Sequence, residues 1–174
     1  VIGAETLSKM MDWTDRSTCV LFGDGAGAAV LSASKEDGIL SMVQGSDGFR
    51  GDVLNCMARK VNNPYKKSDT ALSYVSMNGQ EVYRFAVKTV PKAVTDAVEQ
   101  AGLQLEEVDL FLLHHANYRI IEAVSKRLGQ PMEKFPTNLE ECGNISAASV
   151  PILLDNVNNH GMMRKGMKIV LAGF

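Results

Sequence analysis

The chain has 174 residues, 45% hydrophobic and 22% charged, which is enough apolar material for the core of one globular domain. A net charge of −2 lacks the strongly basic footprint of a dedicated nucleic-acid binder. No apolar run approaches the roughly 20 residues of a membrane span, so neither nucleic acid nor a membrane is expected as a partner.

Three cysteines, Cys19, Cys56 and Cys142, are odd in number, widely spaced and without a CxxC pair. Neither a zinc site nor a disulfide framework is indicated. Reduced thiols in a cytoplasmic enzyme are the simplest reading. No basic-then-apolar leader is read at the start, hence no secretion signal. Both ends read as cut: the chain opens Val1-Ile2-Gly3 without Met and stops at Phe174 inside an apolar run, whereas natural termini are usually polar and frayed.

In chain order, residues 18–34 predict two strands around a turn: strand 18–22, a glycine-rich turn 23–27, then strand 28–31. Residues 38–45 predict a third strand. Residues 47–70 mix Gly, Asn, Pro and charge without periodicity and read as a long loop, a kind of segment that is often functional. From 79 to 102, apolar residues such as Val82, Phe85, Ala86, Val90 and Val94 recur at helical spacing. Pro91 lies inside that stretch and predicts a kink or break. A buried strand follows at 108–113. Next come a helix at 117–128 ended by Gly129, a helix at 145–159 ended by Gly161, and a last strand at 168–174. Strands alternating with helices imply an α/β fold with a mixed sheet packed against helices.

Three motifs carry chemistry. Gly23-Asp24-Gly25-Ala26-Gly27 looks like a phosphate-binding loop, but a helix should follow it, and Ala29-Val30-Leu31 reads as strand. A tight turn that only glycine fits is the preferred reading. His114-His115 closes the strand at 108–113, and strand ends in α/β sheets are where sites form. Neighbouring residues on a strand face opposite ways, so the two histidines are poor partners for one metal. Alone, His114 reads as a satisfied structural histidine ahead of an acid, a base or a hydrogen-bond donor. Gly143-Asn144-Ile145-Ser146-Ala147-Ala148-Ser149 is a run of small residues opening a helix. It is either a cap or a place where a substrate can approach the Asn144 amide closely. A Cys142–His114–Asn144 triad is disfavoured, because residues two apart cannot easily hold the separate stations of nucleophile and orienting amide.

Taken together, Thr14–Thr18, Phe22–Leu31, Met77–Val82, His114–Ile120 and Gly143–Pro151 closely resemble the ketoacyl-carrier-protein synthase III family of the thiolase-like superfamily. The likeness covers essentially the whole chain. It implies that residues 1–174 form the C-terminal half of a thiolase-like fold. The nucleophilic Cys would belong to an N-terminal half, and a final Gly-rich segment would lie beyond Phe174. It implies a condensing acyltransferase that initiates fatty-acid synthesis from acyl-coenzyme A and malonyl-acyl-carrier protein, inactive as this piece alone. No cofactor is implied, since coenzyme A arrives as a substrate thioester.

By the same resemblance His114 and Asn144 are the catalytic pair. The family often has Gln where this chain has His115. Arg16 would stack on the adenine of coenzyme A. Phe22, Met77, Gly79 and Asn117 would line the pantetheine tunnel. Arg84, Arg119, Lys126 and Arg127 would form a basic patch that meets the acidic carrier protein, although a solvated helix face is the plain alternative. The implied partners are acyl-carrier protein, acyl-coenzyme A, the protein's own N-terminal half and a second copy in a homodimer. A starter-unit synthase of secondary metabolism and a non-catalytic α/β binding domain are the rival readings.

Overall fold

The computed structural model describes residues 1–57, residue 65 and residues 73–174. Much of the loop expected at 47–70 therefore lies outside the described residues. The elements run β1 (Ile2–Thr6), β2 (Asp24–Ala28), β3 (Leu54–Asn55), β4 (Ser76–Met77), α1 (Gly79–Gln100), β5 (Leu110–Leu113), α2 (Tyr118–Leu128), α3 (Leu139–Cys142), α4 (Ser149–Asn159) and β6 (Ile169–Ala172). Among the described residues no helix is long and apolar enough to cross a membrane.

Strand β5 is the centre of the core, with all four residues buried. Side chains alternate across a strand. Phe111 and Leu113 thus join Val90 and Val94 of α1 and Ile121 and Val124 of α2 in one apolar cluster. Leu110 and Leu112 face the other way and pack on Leu153 and Val157 of α4. A strand covered on both faces is a continuous apolar run, which is how residues 108–113 read. Strand β6 pairs with β5 in parallel, placing Leu113 beside Ala172. The result is an α/β layer as expected, but the strands form three separate pairs: β1–β2 and β3–β4 antiparallel, β5–β6 parallel.

The N-terminal strand expectations are corrected. Residues 18–21 are turn, and Phe22 makes only an isolated bridge to Asn144. The glycine run expected as a turn is itself strand β2, whose Asp24–Ala28 pair with Thr6–Ile2 of β1. Residues 29–31 and 38–45 carry no strand. Glycine has low strand propensity, so nothing local announces β2. What fixes it is the backbone packed against it. A Cβ at Gly3 would lie 2.4 Å from the Ala147 carbonyl oxygen, and one at Gly27 would lie 2.9 Å from Pro151 Cβ.

Of the kink or break expected at Pro91, the break does not occur: helix α1 runs through it. The Asn78 side-chain oxygen starts it by accepting from Glu81 N at 3.2 Å. Pro91 has no N–H, so the Val87 carbonyl one turn earlier loses its usual partner. Arg127 at the end of α2 supplies a replacement, donating from Nη1 to Val87 O at 2.7 Å. This contact and the packed apolar faces join the two helices.

Leaving that carbonyl bare in a partly buried position should cost about 1–2 kcal/mol. Arg127→Ala is expected to show this loss in urea unfolding of the intact protein. In a Pro91→Ala background an N–H returns at position 91, and the same Arg127→Ala change should cost little. Equal losses in both backgrounds would contradict the assignment.

Candidate active site

His114 follows β5 directly and continues its ladder, donating its backbone N–H to Ala172 O at 2.7 Å. The side chain is 7% exposed, and the edge of its ring meets Phe174 with ring centres 5.1 Å apart. Burial, and next the neighbouring His115, lower the His114 pKa from 6.5 to about 4, while a backbone contact from Ser146 opposes them. His114 is therefore a neutral imidazole at neutral pH, able to donate one N–H without carrying charge. His115 is wholly buried and does not line the cavity that His114 faces. Burial lowers its pKa as well, against the Asn138 side chain and the Pro136 backbone. Neither neighbour closes a well-formed hydrogen bond on a ring nitrogen.

Asn144 reaches the same place from a different part of the chain. Its backbone is clamped in a small bridge: Asn144 N donates to Leu21 O at 3.0 Å, and Gly23 N donates to Asn144 O at 2.8 Å. The bridge requires glycine at two positions. A Cβ on Gly23 would lie 2.3 Å from Cys142 O, and Gly143 has a left-handed φ of 68°. The Asn144 side-chain oxygen accepts from Ser146 N at 3.0 Å. An amide nitrogen could not accept that bond, so Oδ1 is fixed there and the Nδ2 group is left to donate elsewhere. Ser146 holds this turn at a φ of 48°, unusual for a residue with a side chain.

His114 and Asn144 share the wall of one cavity of about 280 Å³. Phe22, Met77, Gly79 and Asn117, the four residues expected to line a tunnel, are also in that wall. Asn117 caps α2 with its side-chain oxygen, accepting from Arg119 N at 2.8 Å, which leaves its amide N–H groups available. Sequence reasoning missed several other lining residues, among them Asp47, Arg50 and Tyr83. The only signal for these three was membership of an aperiodic loop and an unremarkable helix turn.

Arg16, Arg84, Arg119, Lys126 and Arg127 lie outside the cavity wall and are exposed. Arg84 pairs with Glu81. Arg127 commits part of its guanidinium to the Val87 carbonyl. Cys142 does not line the cavity. The geometry thus brings two uncharged groups that can donate an N–H, one imidazole and one amide, into the wall of a mostly apolar hole. Such a pair can hold negative charge that develops on an oxygen.

The buried His114 should register in stability. Its folded pKa lies below its ordinary value, so the unfolded chain binds the proton more readily. The stability held by neutral His114 is fully present above about pH 6.5 and is lost as pH falls toward about 4. The shift corresponds to about 3 kcal/mol. In urea unfolding across that window, His114→Gln should lose stability less steeply than the wild type. Parallel slopes would rule out a buried neutral imidazole.

Residues 98–174 match the family model described as 3-oxoacyl-[acyl-carrier-protein] synthase III C terminal, and residues 1–48 match the 3-oxoacyl-[acyl-carrier-protein] synthase III model. The chain is 47% identical to the beta-ketoacyl-[acyl-carrier-protein] synthase III of Clostridium acetobutylicum over 175 aligned residues, covering 100% of this chain and 54% of that protein. Among solved structures, 3-oxoacyl-(acyl carrier protein) synthase III of Pseudomonas aeruginosa superposes with a TM-score of 0.89 at 37% identity, over 99% of this chain and 52% of that one. The priming β-ketosynthase of the R1128 polyketide biosynthetic pathway superposes at 0.88 with 35% identity, over 98% of this chain and 51% of that one. The chain spans about half the length of the curated relatives it matches. By these matches the chain belongs to the ketoacyl-acyl-carrier-protein synthase III family, and it corresponds to the C-terminal half of the thiolase-like fold.

Proposed function

We propose that the intact protein is a condensing acyltransferase that starts fatty-acid chains from acyl-coenzyme A and malonyl-acyl-carrier protein. The observation that carries this reading is that His114 and Asn144 wall one cavity with Phe22, Met77, Gly79 and Asn117. In the reaction a Cys thiolate of the N-terminal half takes the acyl group and coenzyme A leaves. Malonyl thioester then loses carbon dioxide. The electron pair of the broken C–C bond becomes an enolate, with negative charge on the thioester oxygen.

Here the two donors act. The His114 N–H and the Asn144 amide N–H are fixed before the charge appears, so little reorganisation is needed as it forms. One such donor contributes about 3–4 kcal/mol. The depressed pKa of His114 suits this role, because a neutral imidazole donates without giving its proton away. The enolate carbon then attacks the acyl-Cys carbonyl, and the thiolate departs. His114→Ala or Asn144→Ala in the full-length enzyme should slow malonyl decarboxylation by roughly 10²–10³, while acylation of the Cys by acyl-coenzyme A changes much less. Near-wild-type decarboxylation in both variants would end this reading.

The reading assigns Arg16 to the adenine of coenzyme A, as a planar guanidinium can stack, and Arg84, Arg119 and Lys126 to the carrier protein. Their exposure outside the cavity supports contacts with the outer parts of the two substrates. Arg127 joins that patch with whatever donors Val87 leaves it. Arg16→Ala is expected to raise KM for acyl-coenzyme A more than for malonyl-carrier protein. Charge reversal at Arg119 and Lys126 should do the opposite, with an effect that shrinks as salt rises. Equal losses for both substrates would contradict this division.

The intact enzyme is read as a cytoplasmic homodimer in which each subunit completes this half with its own N-terminal half. Support comes from large apolar side chains at the surface of the described residues, among them Ile2, Val30, Met42 and Phe49. The likeness to a priming ketosynthase of a polyketide pathway favours one second reading, starter-unit synthesis in secondary metabolism. The acyl-coenzyme A preference of the full-length enzyme separates the two.

A further inference from the structure

The cavity has one cation among the described residues that line it, Arg50, on the short 3-10 turn Gly48–Val53. Around it the wall is largely apolar, with Val53, Leu54, Val82 and Phe85. The Arg50 side chain is 49% exposed, whereas His114 and Asn144 are 7% and 9% exposed. Arg50 therefore marks the wet end of the hole and the donor pair marks the dry end.

Arg50 is steered but not saturated. Its Nε lies 3.4 Å from Asp47 Oδ2, and its Nη1 lies 3.7 Å from Glu81 Oε2. Both distances are longer than the roughly 2.7–2.9 Å of a tight charge-assisted hydrogen bond. Glu81 is shared with Arg84. Two arginines thus face two carboxylates, and the rim is close to neutral. An incoming anion meets N–H groups free to form shorter, bidentate bonds, without a net charge to repel it.

We propose that Arg50 is a substrate-binding residue that holds the phosphate at the head of the pantetheine arm, in both the coenzyme A ester and the carrier-protein thioester. This rests on the proposed function, which threads such an arm through the cavity. The malonyl carboxylate is the other anion available. It sits close to the thioester, however, and the thioester belongs at the buried donor pair, so the rim is left to the phosphate.

The test uses the full-length enzyme with acetyl and malonyl thioesters of coenzyme A, of carrier protein, of 4′-phosphopantetheine and of pantetheine without phosphate. Arg50→Ala should raise KM about tenfold for every phosphate-bearing thioester, whichever acyl group it carries, with kcat changed less than about twofold. The penalty should vanish for the pantetheine thioesters, and Arg50→Lys should recover part of it. An equal penalty without phosphate would overturn the proposal in favour of packing. A penalty confined to malonyl substrates would overturn it in favour of the carboxylate. If the wild-type enzyme turned over none of these thioesters, the functional reading itself would fail, and that would be plain before any variant was compared.

Discussion

The close approach of two backbones organises this half-domain. Gly3 in β1, Gly27 in β2 and Gly23 just before β2 give up side chains so that the segment from Cys142 to Pro151 can lie directly on them. At Gly23 there is no room even for a methyl group, because the Cys142 carbonyl lies 2.3 Å from where its Cβ would be. That contact sets the bridge between Phe22 and Asn144, and the bridge sets where the Asn144 amide stands. The other member of the pair is placed independently, directly after the buried strand β5. The donor pair is therefore the meeting of two separate supports.

Electrostatically the arrangement is economical. Both donors are neutral, so burying them costs far less than burying a cation would. The His114 imidazole is kept uncharged by its surroundings, first burial and then His115. The Asn144 amide is oriented by one backbone N–H, at the expense of a strained φ at Ser146. Strain of that kind is retained where the surrounding structure over-determines it, as the bridge to Leu21 and Gly23 does here.

Helices α1, α2 and α4 and strand β5 were legible in the sequence, since each carries a clear apolar period or a continuous apolar run with caps or glycine stops. At Pro91 a kink or break was expected; the helix is not broken, and Arg127, distant in sequence, takes up the carbonyl that lost its hydrogen bond. Strand β2 was illegible for the opposite reason: its conformation is dictated by what lies against it and not by its own residues. Of the site, His114 could be flagged as a strand-end histidine and Asn144 as a residue in a small-residue run. Their partnership came from resemblance, because nothing in spacing relates positions on separate supports. Asp47 and Arg50 were beyond reach, since their place depends on how an aperiodic turn folds against the start of α1.

The hydrogen bond from Ile145 N to Ser149 Oγ, at 3.0 Å, has a consequence for the lifetime of the protein. Asparagine side chains age by deamidation, in which the next residue's backbone nitrogen attacks the amide carbonyl, ammonia leaves, and water opens the resulting cyclic imide to a carboxylate. Asparagine is counted among the thermolabile residues for this reason. At Asn144 the attacking nitrogen would be that of Ile145, which is committed to Ser149, while the branched Ile145 side chain crowds the approach. Conversion to aspartate would replace an N–H donor in the cavity wall with a negative charge. Ser149 thus keeps occupied the nitrogen that would otherwise attack the Asn144 amide.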